Sequence, residues 1–309
     1  MIYFLIIIIS FFISLIAIFF LKKLAFRYHL YDEPSGDNLK IHQKPIPHLG
    51  GVGIFLGLVA SLIFSELLHQ ISKLQSLGII IGSIIIIFLG FWDDLKWKKV
   101  GRPMIKFLCQ FIAGFLIVFI LIKIGVNFHF SLNSVIASLI AGFYIVGAMN
   151  AINMEDGLNG LAGSITVISL MGFIYLAVRE NNLFALIISL GTLSGILGFL
   201  IYNWHPASIF MGDNGSHFLG FILAILAIMF TGHNLKQFIG PALIIGLPIL
   251  DTTLVIIRRL IKRKSIFLGD RSHLYDLIHQ KGISVPKTVF IYSIIQFIIV
   301  SIGILIYNL

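Results

Sequence analysis

Acidic side chains are scarce in this chain of 309 residues, and most of them lie in five polar segments between long apolar runs. Asp and Glu contribute little to the orientation of a membrane protein, so orientation does not explain this distribution. Carboxylates gathered in this way are typical of a site that binds a cation. Ten of the thirteen acids are in these segments: Asp32, Glu33, Asp37, Asp93, Asp94, Glu155, Asp156, Asp213, Asp270 and Asp276.

The second segment begins with two adjacent carboxylates, Asp93 and Asp94, at the end of an apolar run. Adjacent carboxylates repel each other unless a positive group lies beside them. A divalent cation, or a metal bound to a phosphate, would supply that charge. The alternative is a solvated pair at the membrane interface that is neutralised by Lys96, Lys98 and Lys99.

The third segment is rich in amides, carboxylates and glycines. Asn150, Asn153 and Asp156 are three residues apart, so on a helix they share one face. Gly157 and Gly160 then interrupt regular structure. So many polar groups between apolar runs are costly unless they line a polar cavity, and helix capping is the alternative interpretation.

The fourth segment has a single carboxylate, Asp213, directly before a predicted apolar helix. Free N–H groups at a helix start suit a phosphate, and the carboxylate suits a metal that bridges to it. Phe210 could stack on a planar base. A turn that only caps the following helix is the alternative.

The fifth and first segments add basic and imidazole side chains. Arg271 can bind phosphate or sugar oxygens through its planar guanidinium, and His273 can hydrogen-bond to the same groups. Lys44 is a candidate phosphate contact, and the glycines at 50–53 allow a close backbone approach. Helix capping and helix packing are the alternatives for these two segments.

One acid, Asp251, lies inside an apolar run. It precedes Arg258 by about 10 Å along a helix, so it can reach the same membrane face as the five segments. An acid in this position is a candidate for site support or for an internal ion pair. Pro248 is expected to kink the helix that carries it.

Composition fixes the elements that must position these residues. The residues of this chain are 58% hydrophobic and only 11% charged, whereas about a quarter of the residues of a soluble domain are charged. Apolar runs of about 20 residues are long enough to cross a bilayer. We predict an all-α polytopic membrane protein, a single domain over residues 1–309, in which the run 216–231 could be partly interfacial. The ten predicted spans are 2–21, 49–68, 74–91, 104–123, 132–149, 160–178, 183–202, 216–231, 237–257 and 287–307.

The basic residues predict the orientation of these spans. Eighteen of the 22 Lys and Arg residues lie on the side of the five acidic segments, which places those segments in the cytoplasm and both termini outside. The net charge of +9 then reflects topology and affinity for anionic lipid. No soluble basic domain is available to bind nucleic acid. An ion-coupled transporter would place its acids at mid-membrane in broken spans, where only Asp251 is a candidate.

Five motifs occur in order, one on each of the five cytoplasmic segments, between residues 47 and 273. They are Pro-x-x-Gly-Gly (47–51), Asp-Asp (93–94), Asn-Ala-x-Asn-x-x-Asp-Gly (150–157), Phe-Met-Gly-Asp-x-Gly-Ser (210–216) and Asp-Arg-x-His (270–273). In this combination the chain resembles the polyprenyl-phosphate N-acetylhexosamine-1-phosphate transferases of glycosyltransferase family 4, the MraY/WecA type.

The resemblance implies a ten-span enzyme of the cell membrane that depends on Mg²⁺, with Mn²⁺ as an alternative ion. The donor would be a UDP-N-acetylhexosamine and the acceptor a polyprenyl phosphate in the membrane lipid, with release of UMP. A homodimer is compatible with the sequence. The identity of the sugar and of the polyprenol is left open.

The resemblance also implies roles for individual residues. Asp213 would bind the metal, and Asp93, Asp94 and Asp156 would be the catalytic carboxylates. Whether Asp93 and Asp94 complete the metal coordination or orient the lipid phosphate stays open. The expected nucleotide- and sugar-binding residues are Lys44, Asn150, Asn153, Gly157, Asn159, Asn203, Phe210, Arg271 and His273.

The chain departs from the family pattern at three places. The missing triple histidine favours the WecA-like branch over the muramyl-pentapeptide branch, and Asn159 leaves the identity of the sugar open. Asn159 stands where the family commonly has a second Asp, the triple histidine of the muramyl-pentapeptide branch is replaced by a single His273, and His48 stands where relatives often have Arg or Thr. The acids without an assigned role are expected to be solvated loop charges: Asp32, Glu33, Asp37, Glu155 and Asp276.

Overall fold

The computed structural model describes residues 1–34, 44–97, 103–126, 134–232, 234–265 and 271–309. Within these ranges, nine helices are long and apolar enough to cross a membrane, and a bent pair of helices makes ten. The all-α, ten-span prediction is confirmed. Several residues used in the predictions lie outside the described ranges: Asp37, Lys40, Lys98, Lys99, Arg102 and Asp270.

The helices follow the apolar runs because a backbone in lipid must satisfy its hydrogen bonds within its own segment. They are α1 (Ile2–Arg27), α2 (Gly50–Leu67), α3 (Lys73–Trp92), α4 (Pro103–Lys123), α5 (Ser134–Glu155), α6 (Leu161–Arg179), α7 (Leu183–Asn203), α8 (Gly212–Met229), α9 (Leu235–Ile244), α10 (Gly246–Ile261), α11 (Leu274–His279) and α12 (Val285–Asn308). A π-helical turn, Asp93–Trp97, continues α3. Two short antiparallel strands, β1 (Tyr31–Asp32) and β2 (Ile46–Pro47), join α1 to α2.

Helix α8 is the centre of the bundle. It packs against α2, α3 and α5, and 89% of its apolar stretch is buried inside the protein. The suggestion that this run is partly interfacial is wrong, because its neighbours surround it on all sides. Its first turn includes Asp213, so the bundle places this half-buried acid at the start of its central helix.

The ninth span is broken rather than kinked at a proline. Helices α9 and α10 meet at Ile245 and differ in direction by 83°. Pro248 lies in the first turn of α10, where its missing N–H would have no helical partner in any case. The predicted change of direction is therefore found as a full break, and it follows Ile244, whose carbonyl in a continuous helix would need the N–H that Pro248 lacks. The bend sends α9 against α12 and α10 against α5, which carries Asp251 to the end of α5.

Candidate active site

Three carboxylates meet where the π-helical turn after α3 contacts the start of α8. Asp94 accepts hydrogen bonds from the backbone N–H of Asp213 at 3.1 Å and from Nδ2 of Asn214 at 3.2 Å. Asp93, which is 4% exposed, lies beside Asp213. The second and fourth segments, which are 120 residues apart in the chain, therefore form one acidic cluster.

The cluster has one lysine partner among the described side chains that surround it. Lys106, in the first turns of α4, forms an ion pair with Asp93. In the sequence, Lys106 is one of the eighteen basic residues that predict orientation, yet it lies inside the predicted span 104–123, where a charged residue is expected to have a partner. Lys106 offsets the charge of Asp93, and three carboxylates gathered in one place favour the binding of a cation.

The end of α5 contributes the amides that reach this cluster. Nδ2 of Asn153 donates to Oδ1 of Asp213 and to Oγ of Ser216, both at 2.9 Å. Nδ2 of Asn150 donates to Oε1 of Gln110 at 2.9 Å, one turn deeper in the bundle. The helix ends at Glu155, so the predicted shared helical face includes the two asparagines but not Asp156.

A close contact of glycines holds α2 against the start of α8. The backbone N–H groups of Gly50 and Gly51 donate to the carbonyl oxygens of Phe210 and Met211, each at 3.0 Å. A Cβ on Gly51 would collide with the Cα of Gly215. The first motif therefore positions the fourth, since only a residue without a side chain lets the two backbones approach this closely.

Asn203 links the turn after α5 to the loop before α8 through two hydrogen bonds. Its Oδ1 accepts from the backbone N–H of Gly160 at 2.9 Å, and its Nδ2 donates to the carbonyl of Ile209 at 2.8 Å. Nδ2 of Asn159 donates to Nδ1 of His205 at 3.2 Å in the same region. The buried Asn203 thus orders the predicted nucleotide pocket, and its direct contact with the nucleotide stays a prediction.

His273 is held from inside the membrane by Asp251. Nδ1 of His273 donates to Oδ2 of Asp251 at 2.7 Å, and the backbone N–H of Leu274 donates to Oδ1 at 2.9 Å. Both residues are buried. Asp251 therefore supports a predicted site residue through a buried hydrogen bond.

Two acids expected to be solvated are buried instead. Glu155 is fully buried and accepts a 2.6 Å hydrogen bond from Oη of Tyr292. Asp276 is 9% exposed, and its burial raises the pKa of its carboxyl group, an effect that His273 and Arg271 oppose. The expectation is wrong for both, because Tyr275 of α11 and Tyr292 of α12 hydrogen-bond to the end of α5 and enclose this region.

The remaining predicted residues lie around these two clusters. Arg271 is half-buried and close enough to Asp276 to interact with its charge. Phe210 is half-buried, and its backbone N–H donates to the carbonyl of Pro47 at 2.7 Å. Lys44 is exposed beside the first motif. Their contacts with a substrate stay predictions.

Carboxylate oxygens are the ligands that hard divalent cations prefer. The described residues include no group of three His, Cys, Asp or Glu side chains arranged to hold a metal by themselves. A small divalent cation that takes only one or two carboxylates, with phosphate oxygens and water as its other ligands, fits this donor set. Asp213 is the best placed of the three, since it lies at the helix start beside both other carboxylates.

Gly157 offers a test of how α11 docks on the turn after α5. A Cβ at this position would collide with Oη of Tyr275, which donates to the carbonyl of Met154 at 3.0 Å. We expect Gly157→Ala to destabilise the protein by about 1–3 kcal/mol, and Tyr275→Phe by about 1 kcal/mol. Because the second change removes the colliding oxygen, the double variant should be more stable than the sum of the two effects. Thermal unfolding in detergent measures this, and simple additivity would contradict the packing described.

Comparison with known proteins supports the resemblance found in the motifs. Residues 76–231 match the family described as Glycosyl transferase family 4. A probable undecaprenyl-phosphate N-acetylglucosaminyl 1-phosphate transferase of Bacillus subtilis (strain 168) is 36% identical over 304 residues, which cover 94% of this chain and 82% of the relative. The phospho-N-acetylmuramoyl-pentapeptide-transferase of Halalkalibacterium halodurans is 31% identical over 284 residues, which cover 86% of this chain and 85% of the relative.

The matched range contains the acidic cluster, and the alignment with the Bacillus relative extends over almost the whole chain. The predicted family is therefore confirmed: this chain belongs to glycosyl transferase family 4.

Proposed function

We propose that the protein transfers a sugar-1-phosphate from a UDP-sugar to polyprenyl phosphate and releases UMP. The observation that carries this proposal is the cluster of Asp93, Asp94 and Asp213, which joins two family motifs at the start of the central helix. The relatives are named as transferases of this kind, which supports the same reaction here.

The chemistry needs a site at the membrane surface, because the lipid acceptor and the water-soluble donor must meet. An oxygen of the polyprenyl phosphate attacks the phosphorus that bears the sugar. The bond from that phosphorus to the oxygen shared with the second phosphate breaks, and UMP leaves with the electron pair. The acceptor phosphate has a second pKa of about 6, so at neutral pH its oxygen is already mostly ionised and needs little help from a base.

The larger barrier is the repulsion between two phosphate anions. Mg²⁺, or Mn²⁺ as an alternative, would be held by Asp213 and would supply charge neutralisation for both phosphates and the departing UMP. Asp94 fixes the start of α8 through the N–H of Asp213, and Asn153 fixes the Asp213 carboxylate. Asp93 keeps Lys106 at the same site, where the ammonium group can also bind a phosphate oxygen.

We further propose an N-acetylhexosamine donor, with UDP-N-acetylglucosamine as the first candidate. The Bacillus relative is named for an N-acetylglucosaminyl 1-phosphate transfer. Asn159 and the single histidine of the fifth motif separate this chain from the muramyl-pentapeptide pattern. The acceptor would be an undecaprenyl-type phosphate in the cell membrane, and the product would begin a cell-surface glycan.

The test is a transfer assay with the purified protein in detergent. We expect radiolabelled UDP-N-acetylglucosamine and polyprenyl phosphate to give a lipid-extractable product that a chelator abolishes and added Mg²⁺ restores. UDP-N-acetylgalactosamine and UDP-N-acetylmuramoyl-pentapeptide, run in parallel, identify the preferred donor. A preparation that binds UDP-sugar but forms no lipid product with any of the three donors would overturn the proposal.

The same assay decides against an ion-coupled transporter, since detergent removes the two compartments that transport requires. The transporter hypothesis predicts acids at mid-membrane in a broken span. The ninth span is broken, but Asp251 on its second half binds His273 and Leu274 of α11, which follow the predicted cytoplasmic loop. This acid is therefore part of the same end of the bundle as the other motifs.

A further inference from the structure

Asp251 is an acid within a predicted membrane span, and nothing in the proposed transfer reaction requires it to touch a substrate. It is 2% exposed and lies in the second turn of α10, just after the break in the ninth span. A buried carboxylate is costly unless its oxygens are hydrogen-bonded. The hydrogen-bond partners of Asp251 therefore indicate its role.

Both carboxylate oxygens of Asp251 are engaged by α11. Oδ1 accepts from the backbone N–H of Leu274, which fixes the start of α11, and Oδ2 accepts from Nδ1 of His273. An ionised carboxylate can only accept, so with Asp251 in its charged form the proton of this hydrogen bond is on Nδ1 of the imidazole. The orientation of the ring and the position of its proton are thus set by one side chain.

The surroundings make this arrangement rigid and connect it to the acidic cluster. The ring of His273 stacks on Tyr275, with centroids 5.6 Å apart and planes 12° apart. Tyr275 in turn binds the carbonyl of Met154, which directly follows Asn153, the partner of Asp213. In the last turn of α5, Asn153, which binds Asp213, and Met154, which binds Tyr275 of α11, are therefore adjacent residues.

We propose that Asp251 is a positioning residue for the transfer reaction: it holds His273 with a proton on Nδ1, so that Nε2 presents a lone pair that can accept a hydrogen bond from a hydroxyl or amide group of the donor sugar. The inference rests on the proposed function and deepens it. It adds a buried residue of α10 to a site whose other members lie in the loops and at helix ends. Asp251 acts through His273 and does not itself contact substrate.

Asp251→Asn tests the proposal without removing the cap of α11. The amide oxygen still accepts from Leu274, but the amide nitrogen then faces Nδ1 of His273 and donates to it, which moves the ring proton to Nε2. We expect turnover to fall about 100-fold, as for a misplaced catalytic group, and to fall similarly in His273→Ala. Thr252→Val, a change at the neighbouring buried position, should stay within about twofold of wild type.

The turnover of a double variant of Asp251 and His273 shows whether Asp251 acts through His273 or independently of it. If Asp251 acts only through His273, then Asp251→Asn combined with His273→Ala should be within about threefold of His273→Ala alone. A further loss of about 100-fold in the double variant would show that the two residues act independently. That result would overturn the proposal even if the wild-type enzyme is fully active.

A measurement that does not depend on activity reads the proton directly. With nitrogen-15-labelled histidine, the His273 ring is identified as the NMR signal missing from His273→Ala. We expect Nδ1 to be protonated in the wild type and to lose its proton in Asp251→Asn. An unprotonated Nδ1 in the wild type, or no change in the variant, would overturn the proposal. Absence of transfer by the wild type would instead count against the proposed function.

Discussion

Asp213→Asn should lower turnover by roughly a thousandfold and leave the fold intact. The asparagine keeps an oxygen that can accept from Asn153, whose bond to Oδ1 of Asp213 is 2.9 Å long. It removes the negative charge that would bind the cation. The same change relieves the repulsion between this residue and Asp93, so the loss of activity should not be accompanied by a loss of stability.

The transfer assay, run across a range of Mg²⁺ concentrations, measures this effect. Glu180→Gln is the matched control, because Glu180 lies just after the far end of α6 with a side chain that is 43% exposed. The control should retain normal turnover at every concentration. Near-normal turnover of Asp213→Asn at low Mg²⁺ would remove Asp213 from its proposed role as the metal ligand.

Gly51→Ala should have the second largest effect, through packing rather than charge. The added methyl group would collide with the Cα of Gly215 and come within 2.8 Å of Oδ1 of Asn214. Backbone cannot move aside as a flexible side chain can, so we expect a destabilisation of about 3 kcal/mol. Turnover should also fall, since the start of α8 would shift relative to the carboxylates of Asp93 and Asp94.

Gly147→Ala is the matched control, because it makes the same glycine-to-alanine change within a helix but at a position where the added methyl group has room. Gly147 lies within α5, is exposed, and has no atom within 4 Å of an added Cβ. There the change should be neutral or stabilising by about 0.5–1 kcal/mol. Thermal unfolding and the transfer assay, applied to both variants, give the comparison. Equal stability and equal turnover of the two variants would contradict the close contact of α2 with α8.

The spans and the convergence of the motifs could be predicted because they depend on local information. Run length and hydropathy determine which segments can cross a bilayer, and the distribution of Lys and Arg brings the polar segments to one face. The contact between Asp94 and Asp213 requires in addition that α3 packs against α8, which the structure shows and these two inferences do not include. Neither inference requires knowledge of which helix packs beside which.

The details that depend on tertiary neighbours could not be predicted from the same information. Glu155 resembled a solvated loop charge because its partner, Tyr292, is 137 residues further along the chain. Lys106 resembled an orientation signal because its ion pair with Asp93 depends on how α4 packs against α3. Pro248 indicates a disturbance of the ninth span, but the size of the bend depends on the packing of α9 and α10 against different helices.

The most direct test of phosphosugar transfer follows the phosphate rather than the sugar. UDP-N-acetylglucosamine radiolabelled on the phosphate next to the sugar is incubated with purified protein, Mg²⁺ and polyprenyl phosphate. If the acceptor attacks that phosphorus, the label should appear in the lipid product, and the released nucleotide should be unlabelled UMP. Label recovered in UDP, with an unlabelled sugar on the lipid, would show attack at the sugar carbon and contradict the proposed reaction.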